Sequence, residues 1–185
     1  MYLLVFLLYF FIFCKADSQS IDVGIKYSYG NQYFTRQSDN LKTPKYGTHR
    51  IMLAAEYTPY FSKLYVCSGL EYETYTLGTS LKIPLTIKFV PGKRISPFFE
   101  GGGFYTIILK EKTEDLMLVN DAGAKAGAGL RVRAGKKLIC EIGYSYRFGL
   151  TTALEEEVLL PLHQVAIEEY RRKSGSFEIS LKYHF

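Results

Sequence analysis

The stretch LKIPLTIKF, residues 81–89, sets Leu81, Ile83, Leu85, Ile87 and Phe89 against Lys82, Thr86 and Lys88. That is the period of a β-strand with one apolar and one charged face. The period alone leaves open which face meets water. In a soluble sandwich or a lipocalin-like barrel the apolar face looks inward. In an outer-membrane barrel it looks outward to lipid, and the charges fill the inside.

Seven further segments alternate in the same way. Toward the N-terminus, IDVGIKYSYG (21–30) opposes Ile21, Val23, Ile25, Tyr27 and Tyr29 to Asp22, Lys26 and Ser28. RIMLAAEYTP (50–59) opposes Ile51, Leu53, Ala55 and Tyr57 to Arg50 and Glu56, and KLYVCSGLEY (63–72) opposes Leu64, Val66, Leu70 and Tyr72 to Tyr65, Cys67, Gly69 and Glu71. Toward the C-terminus, PFFEGGGFYTIIL (97–109) and AGAKAGAGLRV (122–132) are rich in glycine and take their phase from Glu100, Lys125 and Arg131. LICEIGYSYRF (138–148) opposes Leu138, Cys140, Ile142, Tyr144, Tyr146 and Phe148 to Glu141 and Arg147. The chain ends on FEISLKYHF (177–185), with Phe177, Ile179, Leu181, Tyr183 and Phe185 on one side and Glu178, Ser180, Lys182 and His184 on the other.

The connections order these strands. Those after the second, fourth and sixth are short (PYFS, VPGKRIS, RAGK), whereas those after the first, third, fifth and seventh are mostly longer and more polar. With an even number of up-and-down strands, the short turns and both chain ends fall on one side, the arrangement of bacterial outer-membrane barrels. Strands of about nine to eleven residues also match what a tilted strand needs to cross a bilayer.

Packing decides the face. A soluble eight-stranded barrel would have to hold Tyr27, Tyr29, Tyr57, Tyr72, Phe89, Tyr105, Tyr144, Tyr146, Phe148, Phe177, Tyr183 and Phe185 in an interior just wide enough for ordinary side chains. Turned round, the aromatics form interfacial girdles and the middle of each apolar face is aliphatic, Ala or Gly. The inside then holds Lys26, Arg50, Lys82, Lys88, Lys125, Arg131, Arg147 and Lys182 beside Glu56, Glu71, Glu100, Glu141 and Glu178, mixed signs that can pair. The reading is an all-β, eight-stranded antiparallel up-and-down transmembrane β-barrel, residues 17–185. Closure leaves no edge, so every backbone group is satisfied in lipid. Pro84 removes a ladder donor and is expected at a bulge or at an end of pairing.

The other end of the chain agrees with export. MYLLVFLLYFFIFCKADSQS opens on an apolar run followed by Cys14-Lys15-Ala16, which reads as a signal peptide, residues 1–16, cleaved after Ala16. Cys67 and Cys140 have opposite parities on their strands, so no disulfide is expected between them. The net charge of +5 is small and dispersed. It gives no reason to expect nucleic acid, and basic residues near a membrane surface would instead meet lipid phosphates.

LKIPLTIKFVPGKRISPFFEGGGFYTIIL resembles the middle of the small PorT-like and OmpA-like outer-membrane β-barrel proteins, and SLKYHF resembles their last strand. The resemblance implies a bacterial outer-membrane location. It implies outer-membrane lipid and lipopolysaccharide as surroundings, and recognition of the closing aromatics Tyr183 and Phe185 by the barrel-assembly machinery. It also implies a porin-like shell of the cell envelope. Unlike longer OmpA-like proteins, the sequence is expected to stop at the barrel, without a peptidoglycan-binding domain.

Chemistry is sparse. His49, His163 and His184 share no metal-ligand spacing, so no catalytic residue, cofactor or metal is assigned. His163 near Glu155, Glu156 and Glu157 is the one candidate group for a lipid-modifying enzyme, and a solvated charge run explains it as well. The last connection, LTTALEEEVLLPLHQVAIEEYRRKSG, is more apolar than an external loop needs and reads either as a short amphipathic helix from Leu162 to Arg172 or as an extension of the flanking strands. A stripe of small residues, Gly101, Gly103, Ala122, Ala124, Ala126 and Ala128, either permits curvature or seats a membrane-protein partner. The functional expectation is a non-enzymatic barrel with a structural, adhesive or complex-forming role through its external loops. The alternatives are a lipid-modifying enzyme and a ligand-binding or narrow-channel barrel.

Overall fold

The computed structural model of the chain describes residues 20–38, 42, 45–58, 63–111, 116–160 and 164–185. The expected leader and its cleavage point lie outside them. Eight strands close the barrel: β1 (Ser20–Arg36), β2 (Tyr46–Thr58), β3 (Leu64–Tyr75), β4 (Gly78–Phe89), β5 (Ile95–Glu111), β7 (Asp121–Ala134), β8 (Leu138–Gly149) and β10 (Gln164–His184). Two shorter strands, β6 (Leu116–Leu118) and β9 (Leu154–Leu160), lie between them in sequence. Every pairing is antiparallel, and β1 joins β10 from Asp22↔His184 to Arg36↔Tyr170, so the sheet closes on itself.

The alternation read from sequence decides which way each side chain points. Ile25, Leu53, Leu85, Ile87 and Ile179 are each 58–60% exposed. Their in-strand neighbours Lys26, Thr86, Lys88 and Glu178 are buried. An apolar belt running round the whole molecule is far larger than the patches soluble monomers expose, and it matches a hydrocarbon surround. Tyr27, Tyr29, Tyr72, Tyr105, Tyr144, Tyr146 and Phe177 ring the belt toward the long connections, with Phe89, Phe99, Tyr183 and Phe185 toward the short turns. Tyr57 departs from this pattern: it has outward parity but is buried. On the outer face the Tyr144 ring lies across Gly175, where a Cβ would meet the phenol oxygen at 2.0 Å, and it meets Phe177 edge-on with centroids 5.2 Å apart. In the β7–β8 turn, Gly135 takes φ 72°, the left-handed conformation that favours glycine.

The strand pairings decide three local expectations. The connection after β3 is a two-residue turn, Thr76-Leu77. Glu73 and Tyr75 prolong the inward phase of Glu71, and β4 pairs with β3 as far as Tyr75↔Gly78. Pro84 sits at no bulge, but pairing with β3 does break there, as its missing donor requires. It pairs with Phe104 on β5, while the ladder to β3 skips from Ser68↔Leu85 to Glu71↔Lys82 without losing register. The Ser68 hydroxyl donates to the Pro84 carbonyl at 2.9 Å across that gap, and the irregularity in β4 falls instead at Thr79/Ser80. The last connection is the strand extension rather than the helix: Leu154–Leu160 pairs with Gln164–Tyr170. β6 adds to the outer edge of that hairpin through Leu116↔Glu156.

Candidate functional site: a filled, ion-paired lumen between two loop ends

Each inward position on a strand of a small barrel faces side chains from strands across the lumen, so charges distant in sequence meet. Nine cations and eight carboxylates are buried there among the described residues. They form layers. Nearest the short turns, Asp22 pairs with Arg131 and with His184 at 2.6 Å. Next, Glu56 receives Lys88 and Lys182, and Glu141 receives the same two ammonium groups at 2.9 and 2.5 Å. Above them Lys26 holds Glu178 at 2.8 Å, and Lys125 bridges Glu100 and Glu178. Highest, Glu73 gathers Arg50 and Lys82 at 2.6 Å each and Arg172 at 3.1 Å, and Arg147 clamps Glu71 with both guanidinium arms. Charges removed from water are tolerable only when matched in this way.

Aromatic residues close the lumen at both ends. Toward the long connections Phe34, Tyr75, Leu77, Leu118, Leu154 and Tyr170 form one buried cluster, with the Arg172 guanidinium 5.5 Å from the Tyr75 ring centroid. Toward the short turns Tyr65, Cys67, Val90 and Phe98 form another, capped by Arg131 at 4.4 Å over Tyr65 and Lys88 at 4.8 Å over Phe98. A void beside Thr86, Met52 and Lys125 measures about 10 Å³, room for no more than one water. Among the described residues, the geometry therefore ties strands together across the lumen and fills much of it with paired side chains.

The sequence placed thirteen of these ionisable groups inside by parity and placed Asp22 on the same face. Glu73, Asp121 and Arg172 lie beyond the alternating segments that the sequence delimits. The signal for them was present: Glu73 is two residues from Glu71, Asp121 four from Lys125 and Arg172 six from Glu178, all in phase. Cys67 points inward, Cys140 points outward, and both are free thiols. His49 stands on the outer face with its Nδ1 2.8 Å from the Tyr27 hydroxyl, and His184 lies at the opposite end on Asp22. His163 lies outside the described residues. Among the described residues no group of three or more His, Cys, Asp or Glu converges as a metal site.

At the long-connection end a cleft of about 370 Å³ lies against Phe148, Leu150, Arg171 and Lys173, just above the upper aromatic belt. Beyond it the β9–β10 hairpin continues past Arg36↔Tyr170, its base packed in the lumen-closing cluster through Leu154 and Tyr170, and is tied back by Arg36 on Glu168 at 2.7 Å and by Gln37 on Glu169 at 3.0 Å.

A closed antiparallel barrel with an apolar outside and a charged, filled inside defines a class: the eight-stranded transmembrane β-barrel of the outer-membrane type. In solved structures the chain is similar to the outer membrane protein OprG from Pseudomonas aeruginosa, with a TM-score of 0.57 and 13% identity over 91% of this chain and 96% of that one. It is also similar to Neisserial surface protein A, with a TM-score of 0.58 and 12% identity over 92% of this chain and 99% of that one. At such identities the likeness is one of fold. No protein-family model and no curated protein matches the chain.

Proposed function

We propose that the chain is an exported protein of the bacterial outer membrane, without catalytic activity, that works as a contact module through its long-connection end. The observation that carries this reading is the β9–β10 hairpin, six of whose seven backbone pairs lie beyond Arg36↔Tyr170, the last partner of β1 and β10. A filled lumen anchors such a projection rigidly. The sequence of that connection is apolar at Leu159, Leu160, Val165 and Ile167, residue types suited to protein contact. Outer-membrane lipid and lipopolysaccharide surround the barrel in this reading, and Arg171 and Lys173 above the aromatic belt suit lipopolysaccharide phosphates.

The test replaces residues 157–167 by a short Gly-Ser turn and compares proteins crosslinked in intact cells. Loss of a crosslinked partner with the barrel still heat-modifiable is the expected result. Unchanged crosslinks, or a lipid profile altered by deleting the whole protein, would move the function elsewhere.

A further inference from the structure

Six strands contribute the last inward layer at the short-turn end: Ser20 on β1, Thr58 on β2, Tyr65 on β3, Val90 just past β4, Arg133 on β7 and His184 on β10. Ser20 lies two residues from Asp22, Thr58 from Glu56, Arg133 from Arg131 and His184 from Lys182, so strand parity turns each of them toward the lumen. Between them opens a cleft of about 370 Å³, with Lys63 and Lys93 at its edge. Both lysines are exposed on short turns, whereas Thr58, Tyr65 and Val90 are buried. The outward neighbours Leu64 and Phe89 pair on the lipid face, so the cleft belongs to the barrel mouth and opens to water.

Charge in this layer is unlike that further in. One layer inward, Asp22 is already matched by Arg131 and by His184 at 2.6 Å, and Arg131 reaches Glu56 at 3.2 Å while lying 4.4 Å over the Tyr65 ring. Among the described residues, Lys63, Lys93 and Arg133 form no ion pair. Two donors that line the cleft are unused as well. The Arg133 Nε and the Thr58 hydroxyl are shielded from water and have no hydrogen-bond partner, and Thr58 is only 5% exposed. Leaving a buried donor unpaired is costly, so the pair marks a place for a bound acceptor.

The donor set selects the ligand. Guanidinium, ammonium and hydroxyl groups lining one cleft suit an anion with several oxygens, each taking its own charge-assisted hydrogen bond. Charges of one sign at the mouth of a low-dielectric barrel also focus the field there and raise the local concentration of anions. The cleft is larger than a phosphate ion needs, and Tyr65, Val90 and Pro91 offer apolar surface beside the donors. We infer that the barrel mouth at the short-turn end binds a small water-soluble phosphate monoester, its phosphate held by Thr58 and Arg133 and drawn in by the two lysines at the rim. The site lies at the opposite end from the β9–β10 hairpin and does not depend on the contact role read there.

The full chain, refolded in zwitterionic detergent, is titrated with glycerol 3-phosphate and separately with inorganic phosphate, at an ionic strength held constant with chloride, and binding is read by phosphorus NMR. Saturable binding is expected, with glycerol 3-phosphate at least as tight as inorganic phosphate. Thr58→Val with Arg133→Gln should weaken it about tenfold, as loss of hydrogen bonds to a charged group requires. Lys136→Gln with Lys137→Gln removes two charges from a neighbouring turn, where Lys137 lies 5.3 Å over the Tyr183 ring, and should change it less than about twofold. Should the Thr58 and Arg133 variant fail to refold, Lys93→Gln in its exposed turn should still lower affinity about threefold. Absence of saturable binding, or full affinity in the variant read, overturns the inference. Equal weakening by the Lys136 and Lys137 pair overturns it by assigning binding to diffuse charge, and binding of inorganic phosphate alone does so by assigning the cleft to the free ion.

Discussion

Arg147 on β8 and Glu71 on β3 meet across the lumen, the guanidinium engaging both carboxylate oxygens and its second arm lying at 2.7 Å. The two strands are not neighbours in the sheet, so the pair braces the barrel wall from inside. A buried pair of this kind contributes little against well-packed apolar replacements, but an orphaned partner is expensive. Glu71→Gln should therefore lower stability by about 3–5 kcal/mol, and Glu71→Met with Arg147→Met should recover most of that loss. Urea unfolding of the barrel in lipid vesicles measures both. A double variant no more stable than the single one would mean that the Glu73 cluster next to it, not the pair, holds this level of the lumen.

Depth in the bilayer gives a second expectation. Leu85 lies near the middle of β4 with its side chain 58% exposed, whereas Ile95, 64% exposed, adjoins Arg94 at the rim. Arg at Leu85 should cost about 2–4 kcal/mol and Arg at Ile95 about 0–1 kcal/mol. The comparison uses the same vesicle titration. Equal costs at the two positions would remove the lipid boundary from where the aromatic belts place it.

Most of this fold is legible in sequence because a period of two has only one free choice per strand, its phase. A charge fixes that choice: Glu100 alone phases the Gly-rich β5, and Lys125 with Arg131 phases β7. What parity does not encode is where pairing stops. β3 and β4 keep bonding to a two-residue turn, and β9 with β10 builds a hairpin, because pairing above the membrane depends on the partner strand rather than on lipid. The aromatic ends of the lumen were hidden for a related reason. Tyr65 shares the inner parity of Glu71, and Phe98 and Phe104 that of Glu100, but parity does not show that these rings pack against cations, as Phe104 does with Lys82 at 5.6 Å.

Filling of the lumen bears on transport. With ion pairs in every layer and aromatic clusters at both ends, an ion entering the barrel would have to break buried pairs and displace Tyr75 or Tyr65. Planar bilayers carrying the refolded protein should show no steady conductance steps at moderate voltage. Discrete ohmic steps that persist in the wild-type protein would instead support a narrow channel.

The closing strand connects structure to assembly. Phe185 N donates to Ile21 O at 3.0 Å, so the last residue completes the seam between β10 and β1, and the rings of Tyr183 and Phe185 meet edge-on with centroids 4.9 Å apart. Both side chains lie in the lower aromatic belt, Phe185 being 74% exposed. Removing Phe185 deletes one seam hydrogen bond and one interfacial anchor while leaving the lumen untouched. Replacing Tyr183 and Phe185 with Ser keeps the seam and removes only the aromatics. If the pair acts as a signal read during assembly, both changes should lower the amount of heat-modifiable barrel in the outer membrane while export proceeds normally, and the double Ser variant should still refold unaided in detergent. If the aromatics serve only as anchors, the Ser variant should insert at wild-type levels in cells and lose stability in vesicles instead. Pulse-labelled outer-membrane fractions and vesicle unfolding, measured on the same two variants, separate these outcomes.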